Sequence, residues 1–141
     1  MKVIKFGGTS VGSSESIRQV ADIISRQVKN DAMLSVVVSA FTGVTNQLIQ
    51  ISGLAQKRDN AYKKQLADCE KRHFRVLKEL IPHASEEINI HLHNEFKELN
   101  DVLHGVYLLK ELTPRSSDLI NGTTEGCGHL VNFLFGVVAG T

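Results

Sequence analysis

Cysteine is scarce in this chain, and what there is makes no pattern. Cys69 and Cys127 stand alone. Two such thiols build no disulfide framework and no metal-ligand spacing, so free thiols of a cytosolic protein are expected. Net charge is nearly absent: 16 Lys and Arg against 15 Asp and Glu leave +1. There is no electrostatic case for nucleic acid or for an anionic membrane surface. No apolar run approaches the ~20 residues of a membrane span. The longest, Leu130 to Ala139, is broken by Asn132 and Gly136. The start lacks the basic-then-apolar order of a secretion signal. No internal repeat and no low-complexity linker interrupts the chain. The absences leave a soluble, cytoplasmic globular chain as the expectation. A hydrophobic content of 42% with 22% charged residues supplies one ordinary core.

What is present is concentrated at the start. Val3, Ile4 and Phe6 have β-propensity and read as a strand that buries in a sheet. Lys2 precedes it and reads as exposed. Lys5 sits at the strand's end, followed by Gly7, Gly8, Thr9 and Ser10. Lysine is a compact point charge that suits an anion. The glycines allow positive φ and close approach of backbone N–H groups to a ligand. Thr9 and Ser10 add hydroxyl donors, and the N-terminus of a following helix favours the same anion. The stretch is neither a Walker loop, since no Gly-Lys-Ser/Thr follows, nor a dinucleotide GxGxxG. On these residues alone, a phosphate-binding turn and a plain glycine turn between strand and helix both stand.

The rest of the chain supplies the frame. Ser13 or Ser14 is a good N-cap, with Glu15 in the first turn. Ile17, Val20, Ala21, Ile24 and Val28 recur at helical spacing, which predicts a helix over roughly 14–29. Met33 to Ala40 is apolar and β-branched, the pattern of a central strand buried on both faces. Strand, helix and strand make a βαβ unit, so the two strands should be parallel neighbours. Val44, Leu48, Ile51 and Ala55 share a face of the next helix. From Lys57 to Leu80 a stripe of Tyr62, Leu66, Cys69, His73, Val76 and Leu80 predicts another, stopped by Pro82. Ser85 caps a further helix whose stripe is Ile88, Leu92, Phe96, Leu99, Leu103 and Val106. The two read as an antiparallel pair. Thr113-Pro114 is an N-cap and N1 pair. From Asn121 to Gly128 the glycines and threonines are poor helix material. Leu130 to Ala139 fits a short helix or a strand.

A second loop, Phe41-Thr42-Gly43-Val44-Thr45-Asn46, leaves the same sheet edge as the glycine turn, the edge where open α/β sheets bind ligands. Ser39, Thr42 and Thr45 could bind a carboxylate or an amino group there. Equally, Thr42 or Thr45 could simply cap the helix that follows. The histidines read as structural. His73 lies on an apolar stripe, His91 and His93 do not share a helix face, and His83, His104 and His129 have no partner at ligand spacing. No protein metal cage is expected.

Lys5-Phe6-Gly7-Gly8-Thr9-Ser10-Val11 resembles the N-terminal signature of the aspartate kinases, within the amino-acid kinase fold. Ser39 and Gly43-Val44-Thr45-Asn46 match the family's strand-end serine and the string after it. Phe96 to Leu112 looks most like the form fused to homoserine dehydrogenase. The likeness covers roughly residues 2 to 120. It implies an α/β chain with a partial amino-acid kinase fold: a parallel sheet, flanking helices and an antiparallel helical insertion over about 57–112. Residues 121–141 form an atypical tail. It implies ATP, with Mg²⁺ carried by the nucleotide, and phosphorylation of the L-aspartate β-carboxylate to 4-phospho-L-aspartate. That step opens lysine, methionine and threonine synthesis. Lys5 would stabilise the transferring phosphoryl group, with Gly7, Gly8, Thr9 and Ser10 holding phosphate. Ser39 and Thr45 would hold aspartate, and Glu125 its amino group, although Thr124 and Gly126 depart from the residues the family has around that glutamate. The intact family is expected to form homo-oligomers. It also carries an acidic residue, a substrate-binding arginine and most of the ATP pocket further along, so the chain is expected to be the N-terminal part of such an enzyme. The alternatives are a non-catalytic binding module or assembly fragment, a related kinase acting on another small carboxylate or carbamate, and an incomplete product that folds poorly.

Overall fold

The computed structural model describes residues 2–30, 33–83 and 86–122, in two compact units divided between Thr42 and Gly43. The first unit is the predicted strand–helix–strand. β1 (Lys2–Phe6) and β2 (Leu34–Val38) pair in parallel, with Lys2 opposite Leu34 and Phe6 opposite Val38. A short 3₁₀ turn, Gly8–Val11, leads into α1 (Ser14–Asn30). Ser13 is the cap: its Oγ accepts the Ser16 N–H at 3.2 Å and its carbonyl accepts the Ile17 N–H. Val11, Ile17, Val20, Ala21 and Ile24 are buried. Val28, included in the predicted stripe, is exposed near the helix end.

The strands depart from expectation in burial. Ile4, Phe6, Leu34, Val36 and Val38 are half-buried on one face, while Val3, Lys5, Ser35 and Val37 are exposed on the other. Val3 is 60% exposed and Val37 48%, so β2 is not buried on both faces in this chain. Among the described residues α1 is the one α-helix in the unit of this two-stranded sheet, and it covers one face. The apolar runs nevertheless have the composition of strands from a sheet covered on both sides.

The second unit is helical. α2 (Val44–Gln56) buries Val44, Leu48, Ile51 and Ala55, as their spacing predicts, and also Ser52, whose hydroxyl donates to the Leu48 carbonyl at 2.7 Å. α3 (Ala61–Leu80) and α4 (Glu86–Leu109) run antiparallel. Tyr62 near the start of α3 meets Tyr107 near the end of α4, and His73 meets Phe96 further along. All six predicted stripe positions of α4 are buried. On α3, Leu77 is buried where the stripe placed Leu80. The helix stops at Leu80, two residues before Pro82. A further helical segment covers 114–122, capped as expected: Thr113 Oγ1 accepts the Ser116 N–H at 3.0 Å. Ser85 and the 130–139 run lie outside the described residues.

The predicted start of α3 is corrected by the link from α2. Lys57 ends α2, and Arg58 takes the left-handed conformation at φ 56°. Asp59 N–H reaches back to the Leu54 carbonyl and Arg58 N–H to Ala55, the two bonds of a Schellman close. Arg58 adds a second function. Its Nε and Nη2 donate to the carbonyls of Tyr107 and Leu108 at 3.2 and 2.8 Å, closing the open end of α4. Lys110 follows α4 in the same left-handed conformation, φ 56°, and is exposed. Glycine occupies that region without a Cβ penalty. Lys110→Gly is expected to raise the stability of the helical unit by about 0.5–1 kcal/mol, read as a higher urea midpoint. Arg58→Gly, which loses two charged hydrogen bonds, should not share the gain.

Candidate functional site

The site is built where β1 and β2 end. Because Phe6 lies opposite Val38, the glycine turn and Ser39 leave the sheet side by side. Ser39 N–H donates to the Phe6 carbonyl at 3.1 Å, which extends the pairing by one step. Lys5 is exposed, opposite Val37, one residue before the strand stops. Among the described residues no carboxylate forms an ion pair with it. The ammonium is therefore available to an anion arriving from solvent.

The turn itself is shaped differently from its sequence expectation. Gly7 is extended (φ −77°, ψ 173°), and among the described glycines only Gly43 has positive φ, at 80°. Neither Gly7 nor Gly8 uses glycine's access to left-handed backbone. Gly8 is needed for close approach instead. A Cβ there would meet the Ala40 carbonyl at 3.4 Å, Thr42 Oγ1 at 3.7 Å and Ser39 Oγ at 3.8 Å. The turn and the strand-end loop are therefore in contact. Ser10 N–H closes the turn onto the Gly7 carbonyl at 3.0 Å, and Thr9 is exposed with Ser10 half-buried beside it.

Gly12, and the contact that Thr42 makes with the turn, are missed by reading along the sequence. Thr42 Oγ1 donates to the Gly8 carbonyl at 2.6 Å. A Cβ on Gly12 would stand 2.7 Å from that same oxygen. The N-cap position expected of Thr42 or Thr45 is held instead by Gly43. The available signal was Gly12, directly after the string from Lys5 to Val11, but its reason lies across the fold in Thr42.

The other expected residues are distributed differently. Thr45 is an exposed residue of the first turn of α2, in the second unit. Glu125, with Cys127 and His129, lies outside the described residues. Among the described residues no three His, Cys, Asp or Glu side chains gather at metal-binding distance, and no helix is long and apolar enough to cross a membrane.

The perturbed titrating groups belong to the helical unit. Burial pushes the Cys69 thiol up to about 11, partly opposed by Arg72 and aided by Glu70, so the sulfur stays protonated and unreactive. Burial, then the like charge of an ionised Tyr107, raises the pKa of the Tyr62 phenol. His73 is fully buried and donates from Nδ1 to the Cys69 carbonyl at 2.8 Å. Burial lowers its pKa below the ordinary 6.5; that carbonyl opposes the shift and the Arg72 charge adds to it. The unfolded chain therefore takes up this proton first as pH falls. The stability His73 allows is complete above about pH 6.5 and is lost as pH drops below it. Unfolding free energy should fall by up to about 1.4 kcal/mol per pH unit just below that point. Urea titrations at pH 7.5 and 5.5 check this, and His73→Leu should flatten the acid limb.

Comparison with known proteins gives the family. The model of the amino acid kinase family matches residues 1–122. The chain belongs to the amino acid kinase family. It is 34% identical over 126 residues to the chloroplastic bifunctional aspartokinase/homoserine dehydrogenase 1 of Zea mays, a match covering 87% of this chain and 13% of that protein. A bifunctional aspartokinase/homoserine dehydrogenase of Buchnera aphidicola is 31% identical over 121 residues, covering 79% of this chain and 14% of the relative. Among solved structures, the crystal structure of E. coli aspartokinase III in complex with aspartate and ADP (R-state) matches with a TM-score of 0.77. It is 25% identical, and the match covers 98% of this chain and 28% of that one. The chain thus spans about an eighth of the length of the Zea mays relative.

Proposed function

We propose that this chain carries the phosphate-holding edge of an aspartate kinase, which transfers the γ-phosphoryl group of ATP to the β-carboxylate of L-aspartate. The observation that supports it most is the junction of the two loops. Lys5 and the turn from Gly7 to Ser10 stand beside Ser39, with Gly8 in contact range of the strand-end loop. The bifunctional relatives are named as aspartokinases, and the solved neighbour was crystallised with aspartate and ADP.

The chemistry asks little of the protein beyond placement and charge. A carboxylate oxygen of aspartate attacks the γ-phosphorus, the bond to the bridging oxygen of ADP breaks, and an acyl phosphate forms. The carboxylate is already a nucleophile, so no strong base is required. Lys5 would neutralise charge on the transferring group, and Gly7, Gly8, Thr9 and Ser10 would cradle it. Ser39 would hold aspartate, as would the Thr45 hydroxyl; Glu125 enters through the family likeness alone. The turn offers a cation and neutral donors, which suit phosphate and not a metal ion, so Mg²⁺ would arrive on the nucleotide. Cytoplasmic placement, oligomer formation, and a role in lysine, methionine and threonine synthesis belong to the same proposal.

Calorimetric titration with L-aspartate and with Mg-ATP, assayed for ADP in the same sample, tests it. Weak heats with both ligands and no turnover are expected from a chain of this span. Aspartate-dependent ADP formation that is lost in Lys5→Ala would extend the proposal to a complete site. Silence toward both ligands in a folded sample would overturn it.

A further inference from the structure

Thr42 lies outside both the glycine turn and β2, yet it holds them together. Its Oγ1 donates to the Gly8 carbonyl at 2.6 Å. A peptide group is planar and trans, so its C=O and N–H point opposite ways. Fixing the Gly8 carbonyl toward Thr42 therefore aims the Thr9 N–H away from Thr42. The next amide, Ser10 N–H, is already committed to the Gly7 carbonyl. Gly12 completes the arrangement: any Cβ there would stand 2.7 Å from Thr42 Oγ1 and 3.3 Å from the Gly8 carbonyl oxygen. The hydroxyl reaches Gly8 only because residue 12 has no side chain. The N-cap position of α2 is held by Gly43, not by Thr42.

We propose that Thr42 is a positioning residue that clasps the phosphate-binding turn to the strand-end loop carrying Ser39, with Gly12 as the space that admits it. The proposal rests on the kinase reading for what the turn binds, but the clasp itself can be read without ligand. Ser39 belongs to the same loop, three residues before Thr42. The Thr42 hydrogen bond therefore adds to the strand pairing and to the Ser39 N–H···Phe6 bond in setting the spacing between the group proposed to hold phosphate and the group proposed to hold aspartate.

The test compares Thr42→Val, which keeps the shape and removes the donor, with Thr42→Ser, which keeps the donor. Both are made in the full chain. Amide hydrogen exchange of Ser10 is measured first without ligand, and the amide shifts of Gly8 and Thr9 are then followed during titration with Mg-ADP. Loss of one such bond should speed Ser10 exchange about three- to tenfold in Thr42→Val. The Mg-ADP response should weaken by a similar factor. The amides of Ile17 to Ile24 should be unaffected, Thr42→Ser should restore both readouts, and Gly12→Ala should reproduce the valine variant. Unchanged Ser10 exchange in Thr42→Val would overturn the proposal, as would a loss of protection spread equally over α1. A wild-type chain that ignores Mg-ADP while Thr42→Val still loosens Ser10 would refute the kinase reading and uphold the clasp.

Discussion

Phe96→Ala is expected to destabilise the helical unit by about 3–5 kcal/mol, a large share of what an ordinary domain possesses. Phe96 is 3% exposed and sits on the buried face of α4 between Leu92 and Leu99. Its ring lies edge-on to His73 of α3, with centroids 5.2 Å apart. Truncation removes the aromatic burial and leaves a void that two rigid helices cannot close. It also takes away the ring packed beside a buried imidazole. Ile90, on the same helix but half exposed, provides the control. Ile90→Ala should change stability by no more than about 0.5 kcal/mol. Urea unfolding followed by circular dichroism distinguishes the two. A Phe96→Ala loss below that of Ile90→Ala would mean the helical pair is not packed as described.

Lys5→Ala is expected to leave stability unchanged and to weaken binding of a phosphate-bearing ligand about ten- to hundredfold. The contrast follows from position. Lys5 is exposed on the uncovered face of β1, with no carboxylate partner among the described residues, so the folded chain gains little from its charge. A bound phosphate would gain a charge-assisted hydrogen bond. Lys2 supplies the comparison within the same strand. It is exposed too, but its ammonium is bonded to Gln27 of α1, so Lys2→Ala should leave ligand affinity near that of the wild type. Equal effects of the two substitutions would reduce the role of Lys5 to general surface charge.

The residues that could be read in advance share one property: their reasons are local. The spacing of Ile17, Val20, Ala21 and Ile24, the cap at Ser13 and the pair Thr113-Pro114 depend on neighbours within a turn or two. The α4 stripe was equally legible, because a helix of 24 residues repeats its pattern many times. The failures have non-local causes. Burial of β2 depends on what covers its second face, which strand composition does not specify. Arg58 is a good helix former by propensity, yet it sits in the left-handed position of the Schellman close of α2, and its guanidinium meets two carbonyls at the end of α4. Gly8 was expected to matter for backbone freedom and for close approach of a ligand; no positive φ is used there, and what approaches closely is the strand-end loop. Gly12 and Thr42 meet across thirty positions of chain, and neither carries a signal of the other. For the candidate site, the family string marked Lys5, the glycine turn and Ser39. The second unit holds Thr45, and Glu125 lies outside the described residues.

The most direct measurement is a residue-resolved amide spectrum of the folded chain during titration with Mg-ATP, taken for wild type and for Lys5→Ala. Shifts should be concentrated on Gly7, Gly8, Thr9 and Ser10 in the wild type and largely lost in Lys5→Ala, with a separate response at Ser39 to L-aspartate. Shifts elsewhere in the chain with the turn silent, or a response at the turn that Lys5→Ala leaves intact, would contradict the claim that this edge holds phosphate.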